Sequence, residues 1–198
     1  MAVPSPSSPP PPDKGGLRAE GLRLRREHAR SLTPALRATL EAALARLVLP
    51  RLAGARVIAA YHPLKDEISP GAILAGLGEG QRIVLPWFAH RDAQFLWREG
   101  PASETSPWGV LQPPADAEAL APDVVLVPIV LADRKGIRIG HGKGHYDRAL
   151  AHLREGATAV ATIGLCWESQ LSDSALPADP WDMKLDAVAT PKEWVTCG

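Results

Sequence analysis

Residues 123–150 read DVVLVPIVLADRKGIRIGHGKGHYDRAL. They begin with a nearly continuous apolar run, residues 123–131, which is typical of a strand buried on both faces of a parallel sheet. A glycine-rich loop follows, and from His145 onward the spacing of Ala149, Leu150 and Leu153 predicts one apolar face of a helix. A buried strand that leads through a glycine loop into a helix is a building unit of α/β proteins.

The rest of the chain continues this alternation. Apolar or β-branched runs predict strands at residues 56–62, 82–86, 93–99, 157–167 and 185–190, the last of the chain. Helical spacing or start signals predict helices at residues 14–32, 34–49 and 71–77, and residues 100–122 form a long loop around an extended piece at 108–112. The sequence therefore predicts an open, mostly parallel sheet with helices on both faces, in three layers.

Composition limits the classes of function. The 198 residues include 22 basic and 22 acidic side chains, and this balance argues against a general nucleic-acid or membrane-surface coat. No apolar stretch approaches the length of a membrane span. Cys166 and Cys197 cannot build a disulfide framework or a zinc cluster, which predicts two free thiols and a cytoplasmic protein.

The first residues differ in composition from the remainder. Residues 1–12, MAVPSPSSPPPP, contain six prolines and three serines and lack the apolar core of a signal peptide. We predict a disordered or polyproline tail at residues 1–13, with a ligand for a proline-binding groove as an alternative, and one domain at residues 14–198.

The glycine loop has the features of a phosphate site. It lies between the carboxyl end of a strand and a helix start, where backbone donors and the helix dipole attract anions. Arg138 and Lys143 add positive charge. Four glycines allow close approach of the backbone: Gly136, Gly140, Gly142 and Gly144. The loop matches neither the Walker A nor the dinucleotide spacing, and glycine content alone is also compatible with a flexible, solvated loop.

Two aspartates are candidate magnesium ligands. Asp147 falls in the first turn of the helix after the loop, where it could reach a magnesium ion held by phosphates or simply cap the helix. Asp182 precedes the last predicted strand, and taken alone it is an ordinary loop residue.

Several segments together resemble the 5-formyltetrahydrofolate cyclo-ligases, also called methenyltetrahydrofolate synthetases. VPIVLADRKGIRIGHGKGHYDRAL, residues 127–150, is similar to the central signature of that family. Four further segments follow the family's order: KGGLR (14–18), YHPLKDEI (61–68), PWGVLQP (107–113), and IGLCWESQL with LPADPWDMKLDAVATP (163–171 and 176–191). The resemblance covers nearly all of the chain from Lys14 and implies a fold similar to the NagB/RpiA/CoA-transferase-like fold.

The resemblance implies a role for each matching position. The implied ATP-binding residues are Lys14, Arg18, Arg138, Gly140, His141, Gly142, Lys143, Gly144, His145 and Tyr146. Those implied for the folate are His62, Glu67, Trp108, His141 and His145. Asp147 and Asp182 are the implied magnesium ligands, and Lys143 and Arg138 the implied catalytic residues.

The implied reaction converts 5-formyltetrahydrofolate to 5,10-methenyltetrahydrofolate. ATP phosphorylates the formyl oxygen, a folate nitrogen attacks the activated carbon, and ADP and phosphate leave. The implied partners are ATP, Mg²⁺ and a folate that can carry a polyglutamate tail; we expect a monomer that binds neither nucleic acid nor membrane. Such a transfer depends mainly on positioning and on neutralising charge.

The residues also permit plainer roles. Glu67 could be an ordinary solvated carboxylate, Trp108 could fill the core, and the arginine-rich first helix beyond Lys14 and Arg18 is typical of a solvated face. His145 and Pro70 depart from the family, which usually has Phe or Tyr and Thr there, and His141 replaces a variable residue. His145 either packs as an aromatic ring or contacts phosphate and adds a titrating charge.

Two other classes of function compete with the ligase. An inactive relative could use the basic helix to hold RNA phosphates, although a neutral net charge disfavours it. A sugar-phosphate isomerase or transferase could use Glu67 as a base beside the phosphate loop, which only fold analogy supports. Dependence on ATP distinguishes the ligase from the isomerase, and salt-sensitive retention of RNA identifies the binding protein.

Overall fold

The computed structural model of the chain describes residues 13–156 and 159–198. Its helices are α1 (Lys14–Ser31), α2 (Pro34–Val48), α3 (Gly71–Ala75) and α4 (His145–Glu155). Its strands are β1 (Val57–Ala59), β2 (Arg82–Trp87), β3 (Leu96–Glu99), β4 (Glu104–Thr105), β5 (Leu111–Gln112), β6 (Val124–Pro128), β7 (Leu131–Asp133), β8 (Arg138–Ile139), β9 (Ala161–Leu165), β10 (Leu171–Ser172), β11 (Ala187–Ala189) and β12 (Trp194–Thr196).

Seven strands form the central sheet in the order β12-β11-β9-β6-β1-β2-β3. The five inner strands are parallel to one another, and the outermost strands β3 and β12 are antiparallel to their neighbours. The longest parallel pairing joins β6 to β9, from Val124 opposite Ala161 to Pro128 opposite Leu165. The prediction of a mostly parallel sheet is confirmed.

Strand β6 is buried on both faces. Val124 and Leu126 belong to the core on the side of α2 and α3, whereas Val125 and Val127 belong to the core on the side of α4. Side chains alternate between the two faces of a strand, so an apolar run of this kind requires cover on both sides. The three layers of the prediction are confirmed.

The apolar run of residues 123–131 is not a single strand. The central-sheet strand ends at Pro128, which has no amide hydrogen for a further ladder bond. Nε2 of the Gln170 side chain then donates to the carbonyl oxygens of Ile129 and Val130. Strands β7 and β8 follow as an antiparallel hairpin in a second sheet, with β10 parallel to β7. The prediction of a plain loop from residue 132 to the glycines was therefore wrong in its first half.

The carboxyl-terminal prediction was also incomplete. β11 is not the last strand, because β12 follows it and pairs antiparallel with it. This strand has only three residues, too few for a period to be recognised. At the other end, the predicted tail of residues 1–13 falls largely outside the described residues. Asp13 is described, and its side chain caps α1 by accepting from the Gly16 amide at 2.6 Å.

Two expectations from composition have counterparts in the structure. Cys166 and Cys197 are free thiols. Within residues 13–156 and 159–198, the helices are too short or too polar to cross a membrane.

Candidate active site

A cavity of about 930 Å³ opens where the central strands β1 and β6 end and α4 begins. Its walls come from the start of α1, the segments after β1 and around Trp108, the glycine loop with the first turns of α4, and residues 179–182. In open α/β sheets, ligands bind at the carboxyl ends of the strands. The cavity therefore lies where the topology favours a binding site.

The glycine loop runs from the end of β8 to α4 with its backbone against Arg18. Nε of Arg18 donates to the carbonyl oxygen of Gly140 at 2.8 Å. Gly142 has φ +83°, and a Cβ there would lie 3.1 Å from Cζ of Arg18. Both the positive φ and the close guanidinium favour glycine at this position.

Arg138 and Asp147 form an ion pair at the base of the loop. Nη2 of Arg138 donates to Oδ1 of Asp147 at 2.6 Å, and the arginine also donates to the carbonyl oxygen of Met183. The Met183 amide in turn donates to Oδ1 of Asp147 at 3.2 Å. The pair therefore joins the start of α4 to the segment that carries Asp182.

Lys14 binds two carboxylates of the segment 179–182, which also lines the cavity. Its Nζ is 2.6 Å from Oδ2 of Asp179 and also pairs with Asp182. Burial opposes the charge on Lys14, but the hydrogen bonds that it donates to Asp179 and Asp182, together with their negative charges, outweigh burial and raise the pKa of the lysine. The first turn of α1 is thereby attached to residues 179–182.

The carboxylates suit a magnesium ion that is held jointly with a nucleotide. Asp147 and Asp182 are brought together through Met183, and the described contacts of Asp147 involve only its Oδ1. Within the described ranges, no group of three or more His, Cys, Asp or Glu side chains forms a metal cluster. Magnesium commonly takes one or two carboxylates together with phosphate oxygens and waters, so this donor set fits it.

Glu67 lies on the inner wall and is 5% exposed. Its Oε1 accepts from Nη1 of Arg25 at 2.9 Å, and its Oε2 accepts from the Leu64 amide at 2.9 Å. Nε2 of His141, in the glycine loop, is 3.6 Å from Oε1. Glu67 is therefore not a solvated carboxylate, and the expectation that α1 is solvated beyond Lys14 and Arg18 is wrong at Arg25.

Aromatic rings line the wall beside the loop. The ring of His145 lies edge-on to Phe88 and to Trp108, with centroids 5.0 and 5.2 Å apart. Nζ of Lys143 is 5.2 Å from the centroid of Trp108. Arg148 donates to Nδ1 of His145, which places the proton of the neutral ring on Nε2. His145 therefore packs among aromatic rings, as in the first of its two alternatives, and its contact with phosphate stays a prediction.

The sequence as a whole matches one family. Residues 11–191 fit the 5-formyltetrahydrofolate cyclo-ligase family. The chain belongs to that family. Among its relatives, a cyclo-ligase of Mycolicibacterium smegmatis is 34% identical over 153 residues, which cover 71% of this chain and 76% of the relative. The cyclo-ligase of Escherichia coli K12 is 30% identical over 182 residues, which cover 85% of this chain and 98% of the relative.

Solved structures show the same fold. The NMR structure of 5,10-methenyltetrahydrofolate synthetase from Aquifex aeolicus superposes with a TM-score of 0.74 at 24% identity, covering 93% of this chain and 92% of that one. The synthetase from Mycoplasma pneumoniae gives 0.68 at 23% identity, covering 91% and 99%. The architecture of this cyclo-ligase family member is therefore that of the methenyltetrahydrofolate synthetases.

The cavity of this family member collects the residues that the sequence singled out. The following all line it: Lys14, Arg18, His62, Glu67, Trp108, Arg138, Gly140, His141, Gly142, Lys143, Gly144, His145, Tyr146, Asp147 and Asp182. Gly136 does not, because it lies at the turn of the β7–β8 hairpin.

Other lining or supporting residues escaped the sequence analysis. Arg25 is separated from Lys14 and Arg18 by multiples of a helical turn, so its place on the same face of α1 was detectable. Asp179 stands three residues before Asp182 in a turn, which is a weaker signal. No pattern marked Phe88. Trp181 lay in the segment 176–191 that resembles the family but was given no role, and its ring lines the cavity while 70% exposed.

Replacing His145 by phenylalanine tests its aromatic role. Burial, followed by the charges of Arg148 and Lys143, lowers the pKa of His145 below the ordinary 6.5. We expect the variant to keep wild-type activity within about twofold, since the swap nearly conserves ring volume, and to keep the shape of the pH profile.

The stability of the same variant should change with pH. Because the pKa of His145 is lower in the folded protein, the unfolded chain takes up the proton first as the pH falls. The stability that neutral His145 contributes is therefore fully present above pH 6.5 and is lost as the pH falls below it. The His145→Phe variant should therefore lose less stability at acidic pH than the wild type does, as measured by denaturant unfolding. A shifted activity profile would instead indicate contact with phosphate.

Proposed function

We propose that the protein catalyses the ATP- and magnesium-dependent cyclisation of 5-formyltetrahydrofolate to 5,10-methenyltetrahydrofolate. The observation that carries this proposal is the pairing of two unlike halves within one cavity. One half presents cations, loop amides and aspartates, and the other presents a buried carboxylate beside aromatic rings. The names of the relatives support the same reaction.

The cationic half suits the ATP phosphates. Lys14 and Arg18 project from α1, and Lys143 lies within the loop that ends at the amino terminus of α4. Backbone amides and the dipole at a helix start favour anions. Asp147 and Asp182 would hold Mg²⁺, which would neutralise phosphate charge. The loop positions from Gly140 to Tyr146 complete this half.

The other half suits the folate. The carboxylate of Glu67 can accept paired donors from a pterin ring, since each of its oxygens has a second lone pair. Trp108 and His145 offer flat surfaces for stacking. His62 is exposed at the rim, and His141 lies between the two halves because it belongs to the loop and approaches Glu67.

The chemistry requires charge neutralisation more than a covalent enzyme intermediate. The formyl oxygen attacks the γ-phosphorus, and the bond to the bridging oxygen breaks to release ADP. The neighbouring folate nitrogen then loses its proton and attacks the formyl carbon, and the oxygen departs with the phosphate. Lys143 and Arg138 would stabilise charge on the transferred group, Arg138 from its position beside Asp147.

The assay follows the near-ultraviolet absorbance of the methenyl product. Purified protein is mixed with 5-formyltetrahydrofolate and magnesium, with and without ATP. Growth of the band only with ATP supports the ligase, whereas a flat trace from folded protein overturns it.

Two further measurements test the expected partners and oligomeric state. Repeating the assay with polyglutamylated folate tests the preference for a polyglutamate tail, and gel filtration tests the monomer that we expect. The free thiols support a cytoplasmic enzyme.

The competing functions fit the geometry less well. Glu67 is bound to Arg25, and an ion-paired carboxylate is a poor general base for a sugar-phosphate isomerase. On the outer face of α1, Arg23 pairs with Glu20 and Glu27, so part of the positive charge of that face is already neutralised.

Lys143→Ala should weaken ATP binding without unfolding the protein. The side chain is exposed, and losing one charged hydrogen bond to phosphate corresponds to about tenfold or more in apparent ATP affinity. Lys135→Ala is the matched control, because it removes the same charge from an exposed position outside the cavity. An unchanged KM for ATP in Lys143→Ala would contradict the assignment of the glycine loop as the site for the ATP phosphates.

A further inference from the structure

One face of α1 carries a series of residues directed into the protein. Lys14, Arg18, Gly21 and Arg25 are spaced by four, three and four residues, so they align along the helix. Lys14 and Arg18 contact the cationic half of the cavity, and Arg25 contacts Glu67 in the other half. A single helix therefore reaches both halves.

Because Gly21 has no side chain, this face of α1 can lie close to the backbone of the neighbouring strands. A Cβ at Gly21 would lie 2.7 Å from the carbonyl oxygen of Val130 and 3.1 Å from Cβ of Leu131. The helix thus packs against the backbone where β6 ends and β7 begins. Arg25, one turn further along, is carried into the interior and is 2% exposed.

Arg25 holds two neighbouring carboxylates. Its Nη1 donates to Oε1 of Glu67 at 2.9 Å and its Nη2 to Oδ1 of Asp66 at 3.2 Å. The backbone around them is fixed independently: Arg37 donates to the carbonyl oxygens of Lys65 and Glu67. The loop is therefore held from α2, and the contact of Arg25 acts on the carboxylate side chains.

A buried ion pair of this kind needs an explanation other than stability. Desolvation of both ions often cancels their attraction, so an apolar pair of similar volume would serve the fold as well. Glu67 also lines the cavity, where its charge and orientation would matter to a ligand.

We propose that Arg25 is a positioning residue: it pairs with the Glu67 carboxylate and keeps it oriented toward the folate. This inference rests on the proposed function and concerns a residue outside the cavity lining. Arg25 acts through Glu67 and does not touch the substrate. The Leu64 amide on the other oxygen completes the constraint.

Arg25 is the permanently charged cation among the groups around Glu67. The other groups near this carboxylate are Asp66, His141 from the glycine loop, and the hydroxyls of Tyr61 and Tyr146. Removing Arg25 would therefore leave a buried carboxylate without its ion-pair partner.

The test compares Arg25→Met and Arg25→Lys with the wild type. For Arg25→Met we expect the KM for 5-formyltetrahydrofolate to rise about tenfold or more, the equivalent of one charged hydrogen bond. The KM for ATP should change by less than about twofold. Arg25→Lys should restore only part of the affinity, because it returns the positive charge but does not reproduce the two-armed contact with Glu67 and Asp66.

The control is Arg26→Met, which makes the same change at the next, exposed position and should leave both constants unchanged. Equal rises in both KM values, or an unchanged folate KM, would overturn the inference. If Arg25→Met does not fold, the same split between the two KM values is required of Arg25→Lys. An inactive wild type would refute the proposed function instead, whereas an active wild type with unaffected variants refutes the role of Arg25 alone.

Discussion

Asp147→Asn is expected to lower magnesium-dependent turnover by about a hundredfold or more, the scale seen when one stabilising electrostatic group is removed from an active site. Asparagine retains an oxygen for the Met183 amide but lacks the charge that a magnesium ion and Arg138 both require. Titrating magnesium at saturating ATP measures the effect directly, because the variant should need far more metal or never saturate.

The same substitution should also reduce stability. Arg138 is nearly buried and loses its carboxylate partner, while the Asp147 side chain is 27% exposed and water can partly compensate. We therefore expect a loss of about 2 kcal/mol in the free energy of unfolding, below the range for fully buried pairs. Asp173→Asn is the control, since Asp173 pairs with Arg134 on the surface. Full activity in Asp147→Asn would contradict the magnesium assignment.

Gly136→Ala should be the most destabilising small change in the β7–β8 hairpin. We expect the free energy of unfolding to fall by about 3 kcal/mol, because the left-handed backbone and the steric overlap both oppose the added methyl group. Gly136 has φ +82°, and a methyl group there would collide with the Leu185 carbonyl oxygen and come within 2.9 Å of Cβ of Cys197. The backbone cannot easily retreat, because the Leu185 amide donates to the Gly136 carbonyl oxygen at 2.9 Å.

Gly80→Ala separates the two causes of this loss. Gly80 has φ +84° but open space around the position of a Cβ, so its substitution should cost only about 1 kcal/mol from the backbone. Urea unfolding of both variants measures the difference. Equal losses would mean that the hairpin relaxes away from Leu185 without cost.

The general architecture was predictable because its signals are local. The apolar run through Val125 and Val127 indicated a strand covered on both faces, and the glycine loop before His145 located the site at the end of that strand. Pro128 is a local signal for the end of that strand, but the hairpin at residues 131–139 was not predictable, because a contact that holds the chain beyond Pro128 is distant in sequence: the Gln170 side chain donates to the carbonyl oxygens of Ile129 and Val130.

The partners of the charged site residues could not be predicted for the same reason. Asp147 looked like a cap or a metal ligand, and nothing near it in sequence indicated that Arg138 would bind it across the loop. Lys14 is 165 residues from Asp179 in the chain, yet the two form an ion pair. The sequence singled out these side chains as candidates, and only the folded chain shows which of them neutralise each other.

The two antiparallel strands at the margins of the central sheet affect how the protein behaves at high concentration. β12 has three residues and β3 four, and the chain itself covers part of β3, because the amides of Glu99 and Leu120 bond across to Glu118 and Trp97. Intermolecular strand addition requires a long row of free amides and carbonyls. Because these edge strands are short and β3 is partly covered, they offer neighbouring molecules no such template. This protects the protein against aggregation by edge-to-edge pairing.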